Sequence, residues 1–141
     1  MAISQAMWVH GHSLQCENPA LTVGRIGFGG LIRGPGSQSW YHLAIPTTVI
    51  VTDIRQRVDA AMLFFSSGGQ GSIRNVHVWD GNVRIAAFDN LNLTGNQVFS
   101  RHVLPARPSV NWGIGISFFA VLGADPASAW IDVHSGGVDF V

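Results

Sequence analysis

Lysine is missing from this 141-residue chain, and charge of either sign is scarce. Eight arginines balance eight acidic residues, and charged residues make up 11% of the chain, against about 25% in an average soluble domain. A neutral chain with scattered arginines has no basic patch, which argues against a nucleic-acid partner. Arginine's planar, weakly hydrated guanidinium suits buried or interfacial ion pairs, although codon usage in a GC-rich genome explains an all-arginine set equally well. With a single cysteine, Cys16, no intramolecular disulfide framework can form. The longest apolar run, Val110 to Ala124, is too short for a membrane helix and carries Asn111 and Ser117. The opening MAISQAMWVHGH lacks the basic and apolar regions of a secretory signal, so a cytoplasmic location is expected.

Catalytic signatures are absent too. There is no G-x-S-x-G elbow, and Cys16 has no sequence context of an activated nucleophile. Gly27-Phe28-Gly29-Gly30 does not open onto a helix, so it is no phosphate loop. Three of the seven aspartates sit at turn signals (Asp80-Gly81, Asp89-Asn90, Asp125-Pro126), where the carboxylate can bond its own backbone. No segment keeps a 3.6-residue apolar period for three turns.

What is there is short stretches of period two, punctuated by seventeen glycines and six prolines. Strands are predicted near 3–16, 22–33, 40–45, 47–53, 58–66, 72–79, 83–89, 97–104, 110–122, 128–134 and 137–141. Short, evenly spaced strands of this kind predict an all-β, single-domain antiparallel β-sandwich, jelly-roll-like, over residues 1–141. Val58 to Phe65 is apolar on both faces after Ala60, as a central, doubly covered strand would be. In Trp112 to Phe118, Trp112, Ile114, Ile116 and Phe118 form one face, while Gly113, Gly115 and Ser117 leave the other nearly bare. Strand glycines mark either a bend or the close approach of another group.

Residues 75–86 (NVHVWDGNVRIA) predict a hairpin turning at Asp80-Gly81. That register pairs Trp79 with Asn82, Val78 with Val83, His77 with Arg84 and Val76 with Ile85. One face is an ordinary core face. The other, Asn75, His77, Trp79, Asn82 and Arg84, frames one large aromatic with polar groups and reads as a contact or ligand surface. Trp40, Tyr41 and His42 form a second aromatic cluster.

Two of these features suggest chemistry. An aromatic platform flanked by Asp, Asn, His and Arg is the set of side chains that lectin-like sites use for sugars; core or subunit packing is the plainer account of the same aromatics. His10, His12 and Glu17 give H-x-H-x4-E, a spacing that resembles the first metal motif of the cupins, which are also jelly-roll proteins. The glycine expected ahead of the first histidine is replaced by Ser4, and no second motif follows, so no cofactor is assigned.

The stretches MAISQAMWVHG and WYHLAIPTTVIV, with NVHVWDG and NWGIGIS, resemble a family of small uncharacterised microbial all-β proteins. That resemblance implies a stand-alone β domain and no particular activity. The W-x-H-x-x-I-P segment is also similar to jelly-roll trimer proteins, at the level of fold. With low charge, zero net charge and a Trp79-centred polar face, the expectation is a non-catalytic protein acting by self-association into a homo-oligomer or larger assembly. The alternatives are a lectin-like carbohydrate-binding domain and a cupin-like metal-dependent protein.

Overall fold

A computed structural model describes residues 2–141. Thirteen strands are present among the described residues: β1 (Gln5–His10), β2 (Gln15–Cys16), β3 (Val23–Ile26), β4 (Gly29–Ile32), β5 (Gln38–Ala44), β6 (Ile50–Val51) and β7 (Ile54–Arg55). They continue with β8 (Val58–Ser67), β9 (Gly71–Asp80), β10 (Val83–Phe88), β11 (Val98–Val103), β12 (Ile114–Leu122) and β13 (Ile131–Phe140). One sheet has the order β11-β8-β13-β4-β3, with β1 on β13; the facing sheet has the order β10-β9-β12-β5-β2. All pairings are antiparallel, so the predicted β-sandwich is the fold. No helix is long and apolar enough to cross a membrane.

The core lies between the two sheets. Leu43, Val76, Val78, Ile116 and Phe118 from one sheet join Ala61, Leu63, Phe65, Val133 and Val138 from the other in one buried cluster. Each large side chain so buried contributes about 1.5–3 kcal/mol. The doubly apolar segment at 58–65 is β8, flanked by β11 and β13 and buried along nearly its whole length. Arginine takes the ion-pairing role its chemistry suggests: the buried Asp59 accepts from Arg107 Nε at 2.9 Å and Arg101 Nη2 at 2.9 Å. The Arg107 bond outweighs burial and, with Arg101, holds the Asp59 carboxyl below the usual range.

Several predicted boundaries shift, each for a steric or bonding reason. The stretch 3–16 breaks at a 3₁₀ turn (Gly11–Ser13), where Gly11 crosses so close to Val133 that a Cβ would lie 1.8 Å from the carbonyl oxygen. The stretch 22–33 is not one strand but the β3–β4 hairpin, with Ile26 opposite Gly29. Conversely, 128–134 and 137–141 merge into β13, whose first half pairs with β4 and whose second half pairs with β1.

The hairpin at 75–86 turns one residue later than predicted. Asp80 pairs with Val83, so Gly81 and Asn82 make the turn, with Gly81 at φ +58°. Arg84 then faces Trp79, a bulge absorbs Ile85, and Ala86, Ala87 and Phe88 face Val78, His77 and Val76. Val83, expected in the core, is 55% exposed. The shift follows from Asp80: its carboxylate is buried and accepts the backbone N–H groups of Asn111, Trp112 and Gly113, which makes it the end of a strand rather than the corner of a turn.

Candidate functional site

On the outer face of the β10-β9-β12-β5-β2 sheet, side chains alternate with the buried set, as strand geometry requires. The central strand β12 contributes Gly115, Ser117 and Phe119 to this face. Across the sheet, Gly115 lies between Ala44 and Trp79, Ser117 between His42 and His77, and Phe119 between Trp40 and Asn75. Gly115 and Ser117 in the middle column, with Trp79 and His77 on one side and His42 and Trp40 on the other, make a trough of about 640 Å³ running along β12. Its walls are Trp79 and His77 on β9 and Trp40, His42 and Ala44 on β5; Glu17 stands at its mouth and Gly81 and Asn82 at the hairpin end. The bare face predicted for Gly115 and Ser117 is therefore the floor. A Cβ on Gly115 would meet nothing nearer than the Leu43 carbonyl oxygen at 4.0 Å.

One end of the trough is closed by aromatic packing. The Trp40 ring lies 5.3 Å from Phe119, edge to face, and 4.7 Å from His77. The polar wall is held by hydrogen bonds. Asp89 Oδ1 accepts from Asn75 Nδ2 at 2.7 Å and pairs with His77 Nε2 at 2.9 Å. The bond from Asn75, then that from His77, hold the Asp89 carboxyl below the usual range. On the opposite wall, His42 Nδ1 is 2.7 Å from Ser117 Oγ, which leaves its Nε2 3.7 Å from Glu17 Oε1. Both partners of that last pair are well exposed, so it orients the ring more than it stabilises the fold.

The two clusters read separately from the sequence thus meet across β12. His77, Trp79 and Asn82 line the trough together with Trp40 and His42. Asn75 supports it through Asp89, and the exposed Arg84 stands beside Trp79 outside the lining. Tyr41 is a correction: it points the other way, is 2% exposed and stacks on Phe118 in the core, because neighbours in a strand face opposite sides.

The cupin-like set is also corrected. His10 and His12 lie ring to ring, 3.9 Å apart, with His10 Nδ1 accepting the His12 N–H and His12 Nε2 on the Ile26 carbonyl. Glu17 is with His42 instead. Among the described residues no group of three metal-ligating side chains comes together. Trp112, expected on the core face with Ile114, is 75% exposed, because Gly113 at φ +143° breaks the alternation before β12 begins.

The indoles, imidazoles and amide that line the trough are groups suited to recognising a ligand. Hydrolysis of a glycoside ordinarily needs two flanking carboxyl groups, and among the described residues only Glu17 brings one to the lining. Ser117, His42 and Glu17 form a row of hydroxyl, imidazole and carboxylate. Ser117, however, sits in a central strand paired on both sides, so its neighbouring N–H groups are committed to the ladder rather than free to hold an oxyanion.

Comparison with solved structures finds the same architecture. Over 98% of this chain and 97% of the other, the fold is similar to the low-affinity xylan-binding module CBM86 of Roseburia intestinalis (TM-score 0.64, 10% identity). Over 97% of this chain and 30% of the other, it is similar to part of an exo-β-1,3-galactanase from Phanerochaete chrysosporium, solved with galactose (TM-score 0.51, 15% identity). No curated protein matches the sequence. Trp79 forms the wall of a trough in a fold shared with a xylan-binding module, and this finding overturns self-association as the main reading. The family of unknown function DUF6623 matches residues 2–141, and the chain belongs to it.

Proposed function

We propose that this protein is a non-catalytic carbohydrate-binding module whose trough along β12 holds a neutral polysaccharide chain. The observation that carries the reading is the juxtaposition of Trp79 and Trp40 with His42, His77 and Asn82 over the Gly115–Ser117 floor. Sugar rings present apolar C–H faces and a rim of hydroxyls. A half-buried indole supplies the complementary face, and fixed imidazole and amide groups supply donors and acceptors for the rim. Glu17 is the one charged side chain lining the trough among the described residues, which disfavours uronate-rich chains and suits neutral ones. Fold similarity to a xylan-binding module and to part of a galactanase supports the reading without naming the sugar.

The test is affinity electrophoresis and titration calorimetry against soluble neutral polysaccharides: xylan, mixed-linkage glucan, mannan and galactan. At least one should retard the protein. Trp79→Ala should weaken that binding roughly tenfold, equivalent to about 1.4 kcal/mol, with an unchanged far-ultraviolet spectrum. Absence of binding across the whole panel would sink the proposal.

A further inference from the structure

Trp112 is the most exposed of the large hydrophobic side chains among the described residues, at 75%, yet its backbone N–H is held by a buried carboxylate. Asp80, 3% exposed at the end of β9, accepts the Asn111 N–H at 2.8 Å, the Trp112 N–H at 2.8 Å and the Gly113 N–H at 3.0 Å. The Gly81 N–H adds a bond to the Gly113 carbonyl at 2.9 Å. A buried carboxylate is costly unless its oxygens are satisfied, and three of the bonds that satisfy this one go to the Trp112 segment. Gly81 completes the mount. Trp112 packs against it so closely that a Cβ there would lie 2.9 Å from the Trp112 Cβ and 3.1 Å from its ring. Gly81 also lines the trough, and the Trp112 segment runs directly into β12, whose Gly115 is the trough floor. An exposed indole on a rigid mount, at the open end of a trough whose other end is closed by Trp40 and Phe119, is preorganised to stack on a flat ligand without losing loop entropy.

We propose that Trp112 is an end subsite that takes a sugar ring of a polysaccharide chain emerging past Trp79 and the hairpin tip. The proposal rests on the carbohydrate reading of the trough and adds a length requirement to it. Only chains long enough to reach from the trough to Trp112 gain from this ring; short oligosaccharides fill the trough alone.

Ladders of xylo-, mixed-linkage gluco-, manno- and galacto-oligosaccharides, each from dimer to hexamer and titrated calorimetrically, test this. Affinity should rise with length in the unaltered protein. Trp112→Ala should lose fivefold or more for the longest members and leave the shortest unchanged, and Trp112→Tyr, which keeps a flat ring, should retain most of the gain. Binding by the unaltered protein with an equal loss at every length, or none, in Trp112→Ala overturns the subsite and leaves the trough reading standing. No binding by the unaltered protein at any length overturns both.

Discussion

Gly115→Val is expected to abolish polysaccharide binding, by a hundredfold or more, while the melting temperature holds or rises. The two halves of that result have separate causes. Glycine inside a strand is unfavourable because it loses more backbone freedom on folding and packs nothing, so a β-branched residue gains up to about 1 kcal/mol at a compatible position. Gly115 is compatible: its backbone is ordinary strand between Ala44 and Trp79, and the added Cβ meets open space. That open space is the trough itself. Two extra methyl groups beside Trp79 lift any ligand off the floor and away from the indole face, so binding falls although the fold is intact. Thermal melts and polysaccharide titration on the same preparation give both readings. Undiminished binding by Gly115→Val would mean that the ligand, if any, lies elsewhere on the molecule.

Asp80→Ala is expected to cost about 2–4 kcal/mol of folding stability. Hydrogen bonds to a charged acceptor contribute about 1.5–3 kcal/mol each. Three such bonds are lost, and water entering the partly exposed loop at 111–113 recovers a share of the sum. Urea denaturation measures the difference directly. The pH dependence has a definite sign. Burial alone would raise the Asp80 pKa, but the N–H groups of Gly113, Trp112 and Asn111, with the charge of Arg55, outweigh it and hold the carboxyl below its ordinary value. A carboxylate lowered on folding stabilises the native state above its unfolded pKa of about 3.9. That stabilisation is lost as pH falls through the lower folded value. The stability difference between the parent and Asp80→Asn should therefore be largest near neutral pH and shrink on acidification below about pH 4. A difference that stays constant down to strongly acidic pH would contradict the Asp80 assignment. Asp59, lowered mainly by Arg107, titrates in both proteins and cancels in the comparison.

How far the site was legible depends on the range of the information each part needs. The alternation Asn75, His77, Trp79 against Val76, Val78 is local, set by the two-residue period of an extended backbone, and it holds in the structure. So does the bare face of Gly115 and Ser117. The turn was displaced by one residue because Asp80 answers to N–H donors more than thirty positions away, which no dipeptide turn preference records. Tyr41 and Trp40 read as one cluster, but adjacent strand residues face opposite ways; one entered the core and the other the trough. His10, His12 and Glu17 matched a metal spacing, yet the chain breaks at Gly11, where contact with Val133 leaves no room for a side chain, and Glu17 ends beside His42 on the other sheet.

Composition and periodicity by themselves determined an all-β sandwich, a strand buried on both faces at 58–65, and a polar, tryptophan-bearing strip on β9. They carried this much because burial alternates with backbone geometry wherever a sheet has one wet and one dry face. The tertiary structure alone decided that β12 lies between β9 and β5, which turned two separate aromatic strips and the bare Gly115–Ser117 face into two walls and a floor. Strand order is fixed by which faces complete one another's burial and hydrogen bonding across the whole chain. That is a property of the assembled sheets, and no single segment carries it.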